Sequence, residues 1–269
     1  MGLATTVEFW VGKRRWLNTT KMTMLGRFQL KKLLRDMVKA DVKYAVVEVS
    51  SQGILQHRID YINFDIAVFT NLTPEHIEAH QGFENYKKEK AKLFAATASA
   101  PKKYSVTEGD REVVYIKDDY ESRKPSERIA KTIIVNRDDP HSEYFASFPA
   151  QEIYCYGVAG KEAENHTQCA HRKIIATDPE LTENGSTFCV GGSTFTLHIP
   201  GLYNVYNALA AITVGLSRGM GFRTIAEVLE GISGVAGRFE VIDEGQPFKV
   251  IVDYAPEPAS MTQLYTVID

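Results

Sequence analysis

The sequence predicts an α/β protein in three layers, a mostly parallel sheet with helices on both faces. Short β-branched runs (YAVVEVSS, FDIAVFTN, TIIVNRDD and EIYCYGV) recur with helical or polar stretches between them. They are apolar at consecutive positions, and so on both faces, which marks parallel strands covered from two sides. The stretches between them space apolar residues as helices do, giving the alternation of a layered α/β sheet. A chain of 269 residues with 44% hydrophobic content can fill such a core.

The first helix falls at residues 27–39, RFQLKKLLRDMVK, where Phe28, Leu30, Leu33, Leu34 and Met37 come near helical spacing and feed the strand YAVVEVSS. After FDIAVFTN, Thr73 and Pro74 read as an N-cap with proline at the first helical position. His76 then sits in a first helical turn at a strand's C-terminal edge, where open α/β sheets bind ligands. The next helix carries Phe83, Tyr86, Lys90, Leu93 and Phe94 on one stripe, with Lys87, Lys88 and Lys92 turned elsewhere. From about residue 160 the texture becomes polar, and Gly191-Gly192 in TFCVGGSTFTLHIPG signals a hairpin and a small antiparallel addition. NVYNALAAITVGLSRGM places Val205, Leu209, Ile212 and Leu216 on one helical face and ends near Gly219 and Gly221; TIAEVLEGI forms another short helix. Gly234 and Gly237 interrupt both periodicities, which puts a domain boundary near residue 237. FKVIVDYAPEP then reads as one strand and a loop, too little for a domain of its own, so the C-terminus is expected to be cut off.

Composition excludes several classes. Lys+Arg 31 against Asp+Glu 34 leaves a net charge of -3, with no electrostatic footprint for nucleic acid or an acidic membrane. No apolar stretch approaches the roughly 20 residues of a membrane span, and MGLATTVEFWVGKRRW lacks the apolar core of a signal peptide, so a cytoplasmic location is expected. Cys155, Cys169 and Cys189 include no close pair and read as core or surface thiols.

Chemistry concentrates in a few stretches. His76 and His80 are spaced i,i+4, but Ile77 breaks the His-Glu-x-x-His pattern, so surface or capping roles and metal ligation both stand open. Lys90 in an apolar stripe is either a snorkelling lysine or a desolvated one with a lowered pKa, able to act as a nucleophile or to be modified. Glu48 interrupts YAVVEVSS, where a buried carboxylate needs a cation. An edge strand is the plainer explanation, but Val46, Val47 and Val49 argue for burial. Glu48 and His76, at the ends of two neighbouring strands, then suit a hard cation such as magnesium. Ser50, Gln56, His57 and Arg58 in SSQGILQHR offer contacts for a sugar or pyrophosphate, or else form a polar turn. Asn204 and Asn207 share a helical face and read a nucleobase edge, or Asn204 simply caps the helix.

Taken together, NTT (18–20), EVSSQGILQHR (48–58), FDIAVFTNLTPEHIEAHQGFENYKKEKAKLF (64–94), NRDDP (136–140), GLYNVYNALAA (201–211), GVAGRFE (234–240) and VIVDYA (250–255) resemble the Mur ligase family, specifically the branch that adds the third residue to UDP-N-acetylmuramoyl-dipeptide. The resemblance implies a central domain of P-loop NTPase type over residues 1–237 and the beginning of a Rossmann-like C-terminal domain over 238–269. It implies that Glu48 and His76 are Mg2+ ligands and that Lys90 is carbamylated and binds a second Mg2+. Thr19, Thr20, Ser50, Gln56 and Arg58 fall where the family holds the UDP-sugar peptide. Asn71, Asn204, Asn207, Arg238 and Asp253 fall on the ATP side, with Arg238 also expected to act in catalysis. The implied reaction activates a substrate carboxylate with ATP as an acyl phosphate, which the amine of diaminopimelate or lysine then displaces to form an amide. A monomer is expected.

The chain departs from the family pattern in three ways. No G-x-x-x-x-G-K-[ST] phosphate loop occurs in it, the N-terminal UDP-binding and C-terminal amino-acid-selecting domains are expected to lie outside it, and the Asp-Tyr-Ala-His-Thr-Pro-Asp run reads Asp253-Tyr254-Ala255-Pro256-Glu257-Pro258-Ala259. The isolated chain is therefore expected not to turn over. Three rival readings are a non-catalytic nucleotide-sugar binding module, a metal-dependent hydrolase using Glu48, His76 and His80, and a ligase of the folylpolyglutamate synthase type; the NTT and QHR segments favour the muramoyl branch over the last.

Overall fold

The computed structural model describes residues 1–20, 22–75, 78–104, 128–161, 172–255 and 258–268. Two larger sheets divide most of the chain, with two-stranded pairs beside them. The first is assembled from β1 (Gly2–Ala4), β2 (Glu8–Val11), β3 (Arg14–Leu17) and, after helix α1 (Arg27–Lys39), β4 (Ala45–Val47), in the order β3-β2-β1-β4. Only β1 and β4 run parallel. α1 turns Leu30, Leu33 and Met37 inward as its spacing predicts, against Ala4 and Phe9 of the sheet and Ile54 of α2 (Ser51–Leu55), whereas Phe28 points to solvent.

The second sheet collects β5 (Ile66–Phe69), β8 (Thr132–Asn136), β9 (Glu152–Val158), β10 (Arg172–Thr182), β11 (Gly185–Val190) and β12 (Ser193–Leu197) in the order β12-β11-β10-β9-β8-β5; between β5 and β8 come α3 (Phe83–Ser99) and two short strands, β6 (Lys103–Tyr104) and β7 (Arg128–Ile129). From β5 to β10 neighbours are parallel; β11 and β12 add antiparallel. The three layers follow from strand periodicity. Ile133, Val135 and Cys155 point to one face, under α3 and α4 (Ser142–Ala146), where Phe69, Phe94 and Phe145 cluster. Ile134, Tyr154, Tyr156 and Val158 point to the other, under α5 (Leu202–Ser217) and α6 (Phe222–Glu230). Gly191 and Gly192 turn the β11–β12 hairpin with φ of 56° and 79°, the left-handed pair that a two-residue hairpin turn requires.

Four expectations are corrected. YAVVEVSS is not a strand buried on two faces: β4 spans three residues, Val46 is exposed, and β4 lies at an outer position of the first sheet, unpaired with β5. Thr73 does not cap an α-helix; its hydroxyl donates to Glu75 Oε1 at 2.6 Å, and α3 begins only after Gly82. Beyond residue 237 there is more than one strand, since β13 (Glu240–Ile242) pairs antiparallel with β14 (Val250–Val252) and α7 (Pro258–Ile268) follows. Cys155 is disulfide-bonded, leaving Cys189 as the free cysteine among the described residues. No helix among the described residues is long and apolar enough to cross a membrane.

Candidate functional site

The C-terminal ends of β5 and β8 organise the first part of the site. Asn136 at the end of β8 donates through Nδ2 to the Thr70 carbonyl (2.9 Å), and the buried Tyr156 hydroxyl donates to the Phe69 carbonyl (3.2 Å). Asp139 accepts from the Leu72 and His141 backbone N–H groups, both at 2.8 Å. These bonds hold the loop that carries Asn71, which is exposed, and Glu75. Asp138 accepts through Oδ2 from the Val158 N–H (2.7 Å) and the Tyr206 hydroxyl (2.8 Å), which joins α5 to the same edge.

Lys90 faces this edge from α3. Its ammonium lies 5.0 Å from the ring centroid of Tyr86, the buried residue one turn earlier. Burial holds its pKa below the ordinary lysine range, while the Glu75 and Asp139 carboxylates pull the other way. The stripe expected on α3 is present: Tyr86 and Phe94 are buried, Phe83 and Leu93 partly so. His76 lies outside the described residues. His80 ends a short 3-10 turn (Glu78–His80) and is buried.

Glu48, expected to be buried, is exposed just past β4. Its Oε2 accepts from the Thr6 N–H (2.7 Å) and hydroxyl (2.9 Å), and no described donor reaches Oε1. Among the described residues no three His, Cys, Asp or Glu side chains converge to hold a metal ion.

The residues assigned to the UDP-sugar peptide fall in one neighbourhood. Asn18 donates to the Thr5 and Met22 carbonyls and accepts from the Thr20 N–H and hydroxyl; Thr19 and Thr20 stay exposed. Arg58 donates to Gln56 Oε1 (3.0 Å) and to the Met24 carbonyl, which brings QHR against Met24. Ser50 caps α2 by accepting from the Gly53 N–H at 3.2 Å.

Of the residues expected on the ATP side, Asn204, Asn207, Arg238 and Asp253 gather around the start of α5 and the 237–254 segment, whereas Asn71 lies apart, on the loop after β5. Asn207 donates to Asn204 Oδ1 (3.2 Å), and Asn204 donates to the Pro200 carbonyl (2.7 Å) and does not cap the helix, a place held by Gly201. Arg238 donates to the Tyr254 carbonyl and lies over the Tyr254 ring, 5.2 Å from its centroid; Asp253 accepts from the Phe239 N–H at 2.6 Å. Tyr203 lies among them: burial and then Asp253 push its pKa up, against the Asn204 hydrogen bond and Arg238. Sequence reasoning missed Glu75 and Asp139 as the charges facing Lys90. The signal for Asp139 was NRDDP, adjacent acids directly after a buried strand.

The sequence model of the Mur ligase middle domain matches residues 1–126 and 122–215. The UDP-N-acetylmuramyl-tripeptide synthetase of Roseiflexus sp. (strain RS-1) is 34% identical over 275 residues, covering 99% of this chain and 48% of that protein. The UDP-N-acetylmuramoyl-L-alanyl-D-glutamate--2,6-diaminopimelate ligase of Geobacillus thermodenitrificans (strain NG80-2) is 35% identical, covering 97% and 47%. The chain thus spans about half the length of the curated relatives it matches. A solved UDP-N-acetylmuramoyl-L-alanyl-D-glutamate--2,6-diaminopimelate ligase aligns with a TM-score of 0.68 at 23% identity, over 99% of this chain and 47% of that one. Mycobacterium tuberculosis folylpolyglutamate synthase aligns with a TM-score of 0.58 at 16% identity, over 91% and 48%; likeness at these identities concerns the fold alone.

Proposed function

Since the chain belongs to the Mur ligase family, whose middle domain it carries, we propose that it serves an ATP-dependent amide ligase adding the third amino acid to UDP-N-acetylmuramoyl-dipeptide in peptidoglycan precursor synthesis. The observation that carries this reading is Lys90, a lysine whose ammonium is disfavoured by burial at the strand edge where Glu75 and Asp139 converge. A lysine with a lowered pKa offers more neutral amine at a given pH than an ordinary lysine, and the lone pair of that amine forms the N–C bond to CO2 while a proton leaves. The carbamate would give an oxygen donor where the chain has a cation. Glu48 suits the same role, since it is an exposed carboxylate whose Oε1 meets no described donor. Glu48, His76 and carbamylated Lys90 would hold Mg2+, which when bound offsets phosphate charge and polarises phosphoryl oxygens.

In this reading Thr19, Thr20, Ser50, Gln56 and Arg58 hold the UDP-sugar peptide, Arg58 as a fork donor to phosphate or carboxylate. Asn71, Asn204, Asn207 and Asp253 orient ATP, and Arg238 offers charge to the transferring phosphoryl group. The substrate carboxylate takes the γ-phosphoryl group, ADP leaves, and the incoming amine, from diaminopimelate or lysine, displaces phosphate as the amide forms. The test is phosphate release from ATP that depends on Mg2+ and UDP-N-acetylmuramoyl-dipeptide. Release lost in Lys90→Ala is expected of a protein that includes this chain; substrate binding with no release at all would instead favour a binding module.

A further inference from the structure

We propose that His80 is a positioning residue: it ties the head of α2 to the helix that carries Lys90, and so sets where the Lys90 amine sits. The imidazole is 7% exposed, and its Nε2 lies 3.1 Å from Ser51 Oγ, in a residue that is itself 5% exposed and opens α2 directly after Ser50. On its other side the ring packs against Tyr86, centroids 5.3 Å apart and planes 48° apart, and the Tyr86 ring in turn lies beneath the Lys90 ammonium. One unbroken set of contacts therefore runs from Ser51 through His80 and Tyr86 to Lys90.

His80 forms no ion pair among the described residues, so its one hydrogen bond to a neutral hydroxyl serves orientation rather than charge. A buried polar ring stays buried only while that bond is made. The main chain fixes the ring as well. Directly after His80, Gln81 at φ 57° and Gly82 at φ 126° turn the backbone into α3, which places His80 and Tyr86 on the same side of the turn. Ser50, the neighbour of Ser51, belongs to the set assigned to the UDP-sugar peptide, whereas Lys90 belongs to the phosphoryl-transfer edge. His80 accordingly holds the two halves of the site in one register, so that displacement of α2 displaces Tyr86 and the amine above it.

The inference rests on the carbamate reading of Lys90, and the test separates the two. The chain is equilibrated with [13C]bicarbonate, and the carbamate carbonyl resonance is followed against bicarbonate concentration in wild type, Lys90→Ala, Ser51→Ala, His80→Phe and the Ser51→Ala/His80→Phe double variant. His80→Phe keeps a ring against Tyr86 and deletes Nε2; Ser51→Ala deletes the other end of the same bond and carries the test should His80→Phe not fold. We expect a resonance that Lys90→Ala abolishes, an apparent bicarbonate affinity about threefold to tenfold weaker in each single variant, and a double variant no worse than the weaker single, since one linkage is being cut. Unchanged affinity in the single variants, even with a lower Tm, overturns the positioning role, as do fully additive losses. Absence of any Lys90-dependent resonance in wild type overturns the carbamate reading and the positioning role with it.

Discussion

Asp139→Asn tests how the strand edge is held together and what it does to Lys90. The carboxylate accepts two backbone N–H groups at 2.8 Å, from Leu72 and from His141, in a residue that is 8% exposed. An amide offers one acceptor oxygen and one NH2, so one of the two N–H groups meets a donor. Losing a hydrogen bond to a charged acceptor costs about 1.5–3 kcal/mol, and leaving the buried N–H unsatisfied takes the expected total to about 2–3 kcal/mol. At about 2–4 °C per kcal/mol for a chain of this size, Tm falls by about 5–10 °C. The same substitution removes one of the two carboxylates that raise the Lys90 pKa, so burial acts with less opposition and the pKa drops further. Neutral amine is then available at lower pH, and [13C]bicarbonate labelling of Lys90 sets in at lower pH than in wild type. Calorimetry reads the first effect and 13C NMR the second. A Tm within about 1 °C of wild type, or an onset displaced to higher pH, would refute the reasoning.

Four further outcomes follow from the packing, the buried charge and the backbone. Phe145 is fully buried and stacks on Phe69 at 4.0 Å, so Phe145→Ala should cost about 3–5 kcal/mol and lower the urea midpoint without changing the m-value. Lys131 is fully buried and bonded to Asp65 Oδ1, to Asn63 and to the Phe64 carbonyl, so Asp65→Asn strands a buried cation and should cost about 3–5 kcal/mol; Lys131→Met should cost less, because Asp65 keeps Lys103 at 2.8 Å. Burial lowers the Lys131 pKa, so the cost of its charge is fully present below the folded-state pKa and is relieved as pH rises through it. As pH rises toward the ordinary lysine range, the urea midpoint of wild type should therefore gain on that of Lys131→Met. Gly82 opens α3 at φ 126° and ψ 157°, a region open essentially to glycine, so Gly82→Ala should lose about 1–3 kcal/mol by thermal unfolding although its Cβ would meet nothing.

What the sequence made legible was whatever local periodicity controls. α1 keeps the bounds of RFQLKKLLRDMVK, the Lys90 stripe lies where its spacing put it, and Gly191-Gly192 turns the hairpin. TIIVN and EIYCYGV read as two-faced apolar strands because both faces are covered by helices. YAVVEVSS carries the same composition and misled, because apolar content reports preference and not which strand lies alongside; β4 found β1 on one side only, and Glu48 followed it to the surface. Asp139 and Glu75 were illegible as partners of Lys90 for a related reason. They follow different strands, 64 residues apart in the numbering (139 against 75), and only the β5–β8 pairing brings them together. Asn204 was misjudged as a possible cap because the helix begins two residues earlier, at Leu202.

The division into two sheets has a consequence for how the chain acquires its structure. The core beneath the first sheet draws its buried residues from positions 4 to 59, and the two cores flanking the second draw theirs from 67 to 229. Each can therefore close without waiting for the other, and during synthesis the earlier one closes first, as independently folding segments do. Leu93 on α3 packs against both the first core and the α3–α4 core. α3 is fixed in the second core through Tyr86 and Phe94, so Leu93 is the side chain through which that core, once closed, meets the first.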